Sequence, residues 1–199
     1  MTGRFIVFEG GDATGKSTQA RLLAERLGGR FTFEPGDCSI GGAVRQILLD
    51  PENTQLDNRA EALLYAADRA QHVAEVIRPA LESGADVVCD RYIGSSVVYQ
   101  GMGRELGTEE VAAISGFATD ELRPDLVIVL DADLSVSSER LGDDLDRLEA
   151  AGSEFHQKVR AGFLELARTH PQNWIVLDGT GTIEEVSDRI DQAMATFFA

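Results

Sequence analysis

The chain alternates short, continuous apolar runs with longer stretches whose apolar positions recur at helical spacing. Phe5-Ile6-Val7-Phe8, Asp86-Val87-Val88-Cys89-Asp90, Leu126-Val127-Ile128-Val129-Leu130-Asp131 and Trp174-Ile175-Val176-Leu177-Asp178 contain no polar–apolar alternation. Strands read this way when helices cover both faces of a parallel sheet. Arg30-Phe31-Thr32-Phe33 is a weaker strand candidate ahead of the Glu34-Pro35-Gly36 turn. Gln19 to Leu27 reads as an amphipathic helix, and Ile183, Val186, Ile190 and Met194 mark another from Ile183 to Phe197. Asn58 with Glu61 three residues later predicts a capping-box start to a helix running past Arg69. Pro79 predicts a kink or restart near that helix's end. With no repeat, linker or low-complexity stretch, the pattern predicts one α/β domain over residues 1–199.

The first run leads into Gly10-Gly11-Asp12-Ala13-Thr14-Gly15-Lys16-Ser17, a full match to G-x-x-x-x-G-K-[ST], with Thr18 and the first helix behind it. Strand, glycine loop and helix follow in the order a phosphate cradle requires. The glycines let backbone N–H groups turn toward a polyphosphate, and the helix N-terminus adds partial positive charge. Lys16 is placed to reach the β- and γ-phosphates, and the Ser17 hydroxyl to ligate magnesium, with Asp90 as a second candidate ligand. A nucleoside triphosphate is the expected ligand.

Composition narrows the partners. The net charge is −16, from 34 acidic against 18 basic side chains, a field that repels nucleic acid polymers. A small nucleotide remains compatible if a few arginines converge on one cleft. No segment approaches the roughly 18 to 20 apolar residues of a membrane span, and the first strand begins almost at once. A cytoplasmic protein is therefore expected, with no membrane partner. Cys38 and Cys89 are too few for a disulfide framework or zinc site, and Cys89 reads as a buried strand thiol.

A second constellation follows Asp90. Ligands gather at the carboxyl ends of strands in open α/β sheets, and Asp90-Arg91-Tyr92 stands at such an end. Tyr92, Ser95, Ser96, Tyr99 and Gln100 then fall three or four apart, predicting one hydroxyl- and amide-bearing face. Alone, Asp90-Arg91 reads as a surface ion pair. Opposite a P-loop, Arg91 reads as a guanidinium that bridges transferring phosphates. Tyr65 and Arg69, four apart, suit a nucleobase through stacking and hydrogen bonds, although a packed tyrosine and a solvated arginine fit these two residues equally.

These segments together resemble the bacterial type of thymidylate kinase, a P-loop nucleoside monophosphate kinase family. The resemblance rests on Phe8-Glu9-Gly10 through Thr18, Glu34-Pro35-Gly36, Leu63 to Val73, Asp90-Arg91-Tyr92 through Gly101, Pro124-Asp125-Leu126, and Asp146-Arg147-Leu148-Glu149 before Phe155-His156. It implies a five-stranded parallel sheet with a short lid at about residues 140–152, and a homodimer built through helix packing. It implies transfer of the γ-phosphoryl of ATP to dTMP, giving dTDP and ADP with Mg2+, in dTTP biosynthesis. By position, Tyr65 would stack on thymine and Arg69 would hydrogen-bond it. Ser96 and Gln100 would line the base pocket, and Tyr99 would crowd the 2′ position of the sugar. Asp12, Glu34, Arg45 and Arg91 would surround the sugar and acceptor phosphate, with Arg140 and Arg147 on the lid over ATP.

The sequence departs from that family at three places. Phe33 stands where an arginine usually precedes Glu-Pro-Gly, Asp37 replaces a second glycine, and Leu141-Gly142-Asp143-Asp144-Leu145 is acidic where lids are often arginine-rich. Ala13 and Thr14 are neutral, so the expected catalytic charge falls to Lys16, Arg91, Arg140 and Arg147. A phosphate monoester acceptor is already anionic, so no general base is required. His72, His156 and His170 therefore read as structural or solvated, none beside a catalytic motif in sequence. The rival readings are a kinase for another pyrimidine nucleoside monophosphate and a non-catalytic nucleotide-binding protein.

Overall fold

A computed structural model describes residues 2–134, 136 and 145–199. Five strands form one sheet: β1 (Phe5–Glu9), β2 (Arg30–Phe33), β3 (Val87–Asp90), β4 (Leu126–Asp131) and β5 (Trp174–Asp178). Their order is β2-β3-β1-β4-β5, and every neighbouring pair is parallel. β1 is central, with Phe5 opposite Val87 and Ile6 opposite Leu126. The α/β fold with a five-stranded parallel sheet agrees with the sequence expectation, including the weak candidate at Arg30–Phe33.

Successive strand residues face opposite sides, so each run feeds two cores. Phe5, Val7, Cys89 and Val127 pack with Ile77, Tyr92 and Val97 on one side. Ile6, Phe8, Val88 and Ile128 pack on the other with Leu23 of α1 (Lys16–Leu27) and Ile190 of the last helix, α8 (Ile183–Phe197). This double coverage explains the absence of alternation in β1, β3 and β4. It also places the strand ends Glu9, Phe33, Asp90 and Asp131 along one edge, where the connecting loops build the site.

The remaining α-helices among the described residues are α2 (Gly41–Leu49), α3 (Asn58–His72), α4 (Arg78–Glu82), α5 (Ile93–Ser96), α6 (Thr108–Thr119) and α7 (Ser153–Thr169). A π-helical turn, Val73–Ile77, joins α3 to α4, and Pro79 lies in the first turn of α4. The expected restart therefore occurs through the π-helical turn, with right-handed helical dihedrals at Ile77 and Arg78.

The start of α3 corrects one expectation. Its N-cap is Asp57, whose carboxylate accepts from the backbone N–H groups of Arg59 and Ala60 at 2.9 and 3.4 Å. Asn58 is the first helical residue. Glu61 does not reach back to a cap, because its fully buried carboxylate accepts from Gln100 Nε2 at 2.8 Å and pairs with Arg147 at 2.6 Å. Buried charge partners won over the local cap.

Candidate active site

The loop after β1 is shaped by its backbone. Gly10 has φ +133°, and a Cβ there would lie 2.4 Å from the Leu130 carbonyl oxygen, so only glycine lets the loop cross β4. Gly15, at φ +94°, opens α1. Ala13 adopts a left-handed φ of 56°, a conformation L-residues hold only where surroundings enforce it. Lys16 is buried, with Nζ donating to the Gly11 carbonyl and lying 3.5 Å from Thr14 Oγ1. Burial, aided by the nearby Arg91 cation, lowers its pKa to about 8 against the pull of Asp90, Asp12 and Glu9. The Ser17 hydroxyl donates to Asp90, whose other carboxylate oxygen is buried without a hydrogen-bond partner.

Arg91 leaves β3 with φ 68°, and this turn throws its side chain across to the loop. Nη1 donates to the Gly10 carbonyl and to Ser95 Oγ, each at 3.1 Å, while Nη2 pairs with Asp12. The guanidinium lies 5.1 Å from the Tyr99 ring centroid, and the Tyr99 hydroxyl donates to Asp12 at 2.8 Å. Burial opposes ionisation of Asp12, but the Arg91 and Lys16 cations with the Tyr99 hydrogen bond hold its pKa below the usual value. Beneath this group Glu9 is fully buried and accepts from Tyr92 N–H at 3.1 Å, Ser95 N–H at 2.9 Å and Ser95 Oγ at 2.6 Å. Burial raises its pKa to about 7, with Ser95 and Arg91 opposing.

A cavity of about 530 Å³ opens from this loop, a size that suits a nucleotide-scale ligand. Asp12, Lys16, Ser17 and Arg91 line one wall; Phe33, Glu34 and Arg45 line the wall formed by β2 and α2. Tyr65, Ser96, Tyr99 and Gln100 close the far side. Ser96 Oγ is buried and has no hydrogen-bond partner, so it offers a polar atom to an occupant.

A P-loop on one wall and an aromatic, hydrogen-bonding pocket on the other make a two-ligand site. The family model described as "Thymidylate kinase" matches residues 8–190. The chain belongs to the thymidylate kinase family. It is 48% identical to the thymidylate kinase of Cutibacterium acnes over 96% of each chain. It is 50% identical to that of Leifsonia xyli subsp. xyli, covering 94% of this chain and 92% of that protein. The crystal structure of thymidylate kinase from Ehrlichia chaffeensis superposes with a TM-score of 0.81 at 29% identity, covering 98% and 99% of the two chains. Membership makes the chain a nucleoside monophosphate kinase, a transferase that uses ATP.

The structure brings together most of the kinase residues expected from sequence: Asp12, Ala13, Lys16, Ser17, Glu34, Arg45, Tyr65, Asp90, Arg91, Ser96, Tyr99 and Gln100 all line the cavity. Thr18 is exposed on α1 and does not line it. Arg69 does not line it either. Its side chain is 2% exposed, with Nε donating to Glu34 at 2.7 Å and Nη2 to the Tyr92 carbonyl at 3.1 Å, so neither a solvated nor a cavity-facing arginine describes it. Tyr92 leaves the face predicted for it, packing edge-on against Phe5 and donating to the Leu122 carbonyl at 3.2 Å. The irregular φ, ψ at Tyr92, just before α5, breaks the assumed helical spacing. Arg147 also turns from the P-loop, donating to the Leu48 carbonyl at 2.8 Å and pairing with Glu61. Arg140 and the first part of the expected lid lie outside the described residues.

One histidine comes close to the site in space: His156 Nδ1 lies 3.9 Å from Asp12 Oδ2 of the P-loop. His72 is fully buried, with Nδ1 2.9 Å from Glu34 and Nε2 2.5 Å from Thr32 Oγ1. His170 is exposed, 3.0 Å from the Leu166 carbonyl. Sequence separation concealed the first two contacts. Glu9 and Arg21 also belong to the site's surroundings without being among the residues expected from sequence; Arg21 stands four residues after Ser17, so helical spacing carried a signal for it.

Proposed function

We propose that the two walls hold two phosphates in line, ATP on the P-loop and dTMP in the cavity opposite, with Arg91 between them. The chain phosphorylates dTMP to dTDP in nucleotide biosynthesis. The observation that carries the division of roles is Arg91, whose one guanidinium is tied to the loop at Gly10 and Asp12 and to the pocket at Ser95. In this reading the backbone of Gly10–Thr18 and Lys16 take the ATP phosphates, and Lys16 leaves the Gly11 carbonyl to do so. Tyr65 stacks on the base, Ser96 and Gln100 offer polar edges, and Tyr99 borders the sugar. Glu34 is fixed by Arg69 and His72, which act as positioning residues. Asp12 and Tyr99 set the angle of Arg91.

Ser17 and Asp90 are suited to Mg2+, since the hydroxyl lies against a carboxylate with one unpartnered buried oxygen. Magnesium is commonly held by few protein oxygens together with substrate phosphates, and no group of three or more acidic, His or Cys side chains among the described residues is placed to hold a metal ion by itself. When bound, the ion would neutralise phosphate charge. The lid expected over about 140–152 would exclude water on closing, with Arg140 as its cation, while Arg147 would have to leave Leu48 and Glu61 to join it. The whole of 1–199 acts as one domain in this reading. No helix among the described residues is long and apolar enough to cross a membrane, and a cytoplasmic location is the corresponding reading. Phe117 on α6 is 90% exposed and Leu63 on the neighbouring α3 is 56% exposed, which supports a homodimer through these helices.

Initial rates of ADP formation with dTMP, dUMP, UMP and dCMP test the assignment. The expected result is a strong preference for dTMP; equal rates for all four would refute it.

A further inference from the structure

Phe31 and Phe33 both point from β2 into the cavity, with ring centroids 6.2 Å apart and planes inclined by 26°. An arginine rests at each end of this stacked pair. Arg21 of α1 places its guanidinium carbon 4.1 Å from the Phe31 centroid, and Arg45 of α2 places its own 5.8 Å from the Phe33 centroid. Both distances fall within cation–π range. Gly36 makes the second contact fit: its φ is +130°, and a Cβ there would come within 3.1 Å of Arg45 Cδ and 3.3 Å of the Phe33 ring.

Neither arginine forms an ion pair among the described residues, although the chain carries 34 acidic side chains. Arg45 donates instead to the Pro35 carbonyl at 2.8 Å. Arg91, Arg69 and Arg147 are each tied to a carboxylate. Two cations held by neutral rings, lining a cavity and lacking carboxylates, keep their charge available for an anion. Both line the cavity against β2, Arg21 from α1 and Arg45 from α2.

We propose that Arg21 is a binding residue for the phosphate of the acceptor nucleotide, acting with Arg45, and that Phe31 and Phe33 are positioning residues that hold the two guanidiniums apart at the cavity wall. A planar guanidinium lying on a ring keeps its N–H edge free, so the ring fixes orientation without consuming donors. The inference rests on the dTMP reading above and adds to it a residue and a means of orientation.

Equilibrium binding of dTMP, thymidine and ATP to the full-length protein tests this. Arg21→Gln is expected to weaken dTMP binding roughly tenfold, the scale of a charge-assisted hydrogen bond, and to leave thymidine and ATP unchanged. Arg21→Lys should recover part of the loss. Phe31→Leu should weaken dTMP binding less, and the double variant should bind no worse than Arg21→Gln alone. An unchanged dTMP affinity in Arg21→Gln would overturn the proposal, as would an equal loss of thymidine or a selective loss of ATP. A wild-type protein that binds neither dTMP nor thymidine would instead overturn the substrate reading itself.

Discussion

The P-loop wall and the β2 wall of the cavity hold positive charge by different means. On the P-loop side Lys16 folds onto the Gly11 carbonyl and Arg91 is bound by Asp12, the Gly10 carbonyl and Ser95. These cations are largely buried, and each is already engaged within the protein. On the β2 side Arg21 and Arg45 lie on phenylalanine rings, exposed and without a carboxylate. A buried cation needs a partner to remain charged, whereas an exposed one can be oriented by a neutral face. The first wall therefore presents a fixed, pre-oriented field, and the second a lighter one that a ligand's own charge completes.

Perturbing the first wall should have the largest effect. Lys16→Ala is expected to lower kcat by about 10²–10³-fold or more, as loss of a donor to developing charge does. Steady-state ADP formation measures it, and circular dichroism should show the fold intact. Arg91→Ala should fall by a similar factor and also destabilise the protein by about 1–3 kcal/mol, because the Asp12 carboxylate loses its guanidinium partner and keeps only the Tyr99 hydrogen bond. A thermal melt that matches wild type would argue that the Tyr99 hydroxyl and the Lys16 cation suffice for Asp12.

The buried acids behind the cavity come next. Glu61 holds Gln100, Arg104 and Arg147 around one fully buried carboxylate. Glu61→Ala leaves these donors without it and should cost about 3 kcal/mol, read by urea denaturation. Glu9 makes a prediction about pH. Its folded pKa is raised to about 7 from an ordinary value of 4.5, so its ionisation is less favourable in the folded protein. Its contribution to stability is full below about pH 4.5 and is lost as pH rises toward 7. Relative to Glu9→Gln, wild-type stability should decline by about 2–3 kcal/mol across that window. Denaturation at pH 4.5, 6 and 8 measures the difference, and parallel curves would remove the buried-acid account.

Much of this arrangement was legible because it depends on local pattern. Continuous apolar runs located four of the strands, the weaker Arg30–Phe33 candidate ahead of its Glu34-Pro35-Gly36 turn gave the fifth, and the loop from Gly10 to Ser17 fixed the phosphate end of the cavity. What stayed hidden depends on contacts distant in sequence. Arg69 shared a helical face with Tyr65, yet Glu34, 35 residues away, captured it. Glu61 had the spacing of a capping residue, but Gln100 and Arg147 drew it inward while Asp57 capped the helix. Tyr92 had the right spacing from Ser95 and Ser96, but the turn before α5 sent it into the core against Phe5. Periodicity predicts which residues share a face and not which distant partner claims them. The Asp57 cap supplies the smallest expected effect: Asp57→Ala should lower stability by about 1 kcal/mol and leave turnover unchanged, as read by denaturation and initial rates.

The separation of the two walls is tested most directly by the dTMP dissociation constant of Lys16→Ala, measured by calorimetry without ATP. If the P-loop serves ATP and the opposite wall serves dTMP, that constant should match wild type within about twofold, a small free-energy difference. A loss of dTMP binding as large as the loss of turnover would contradict the account.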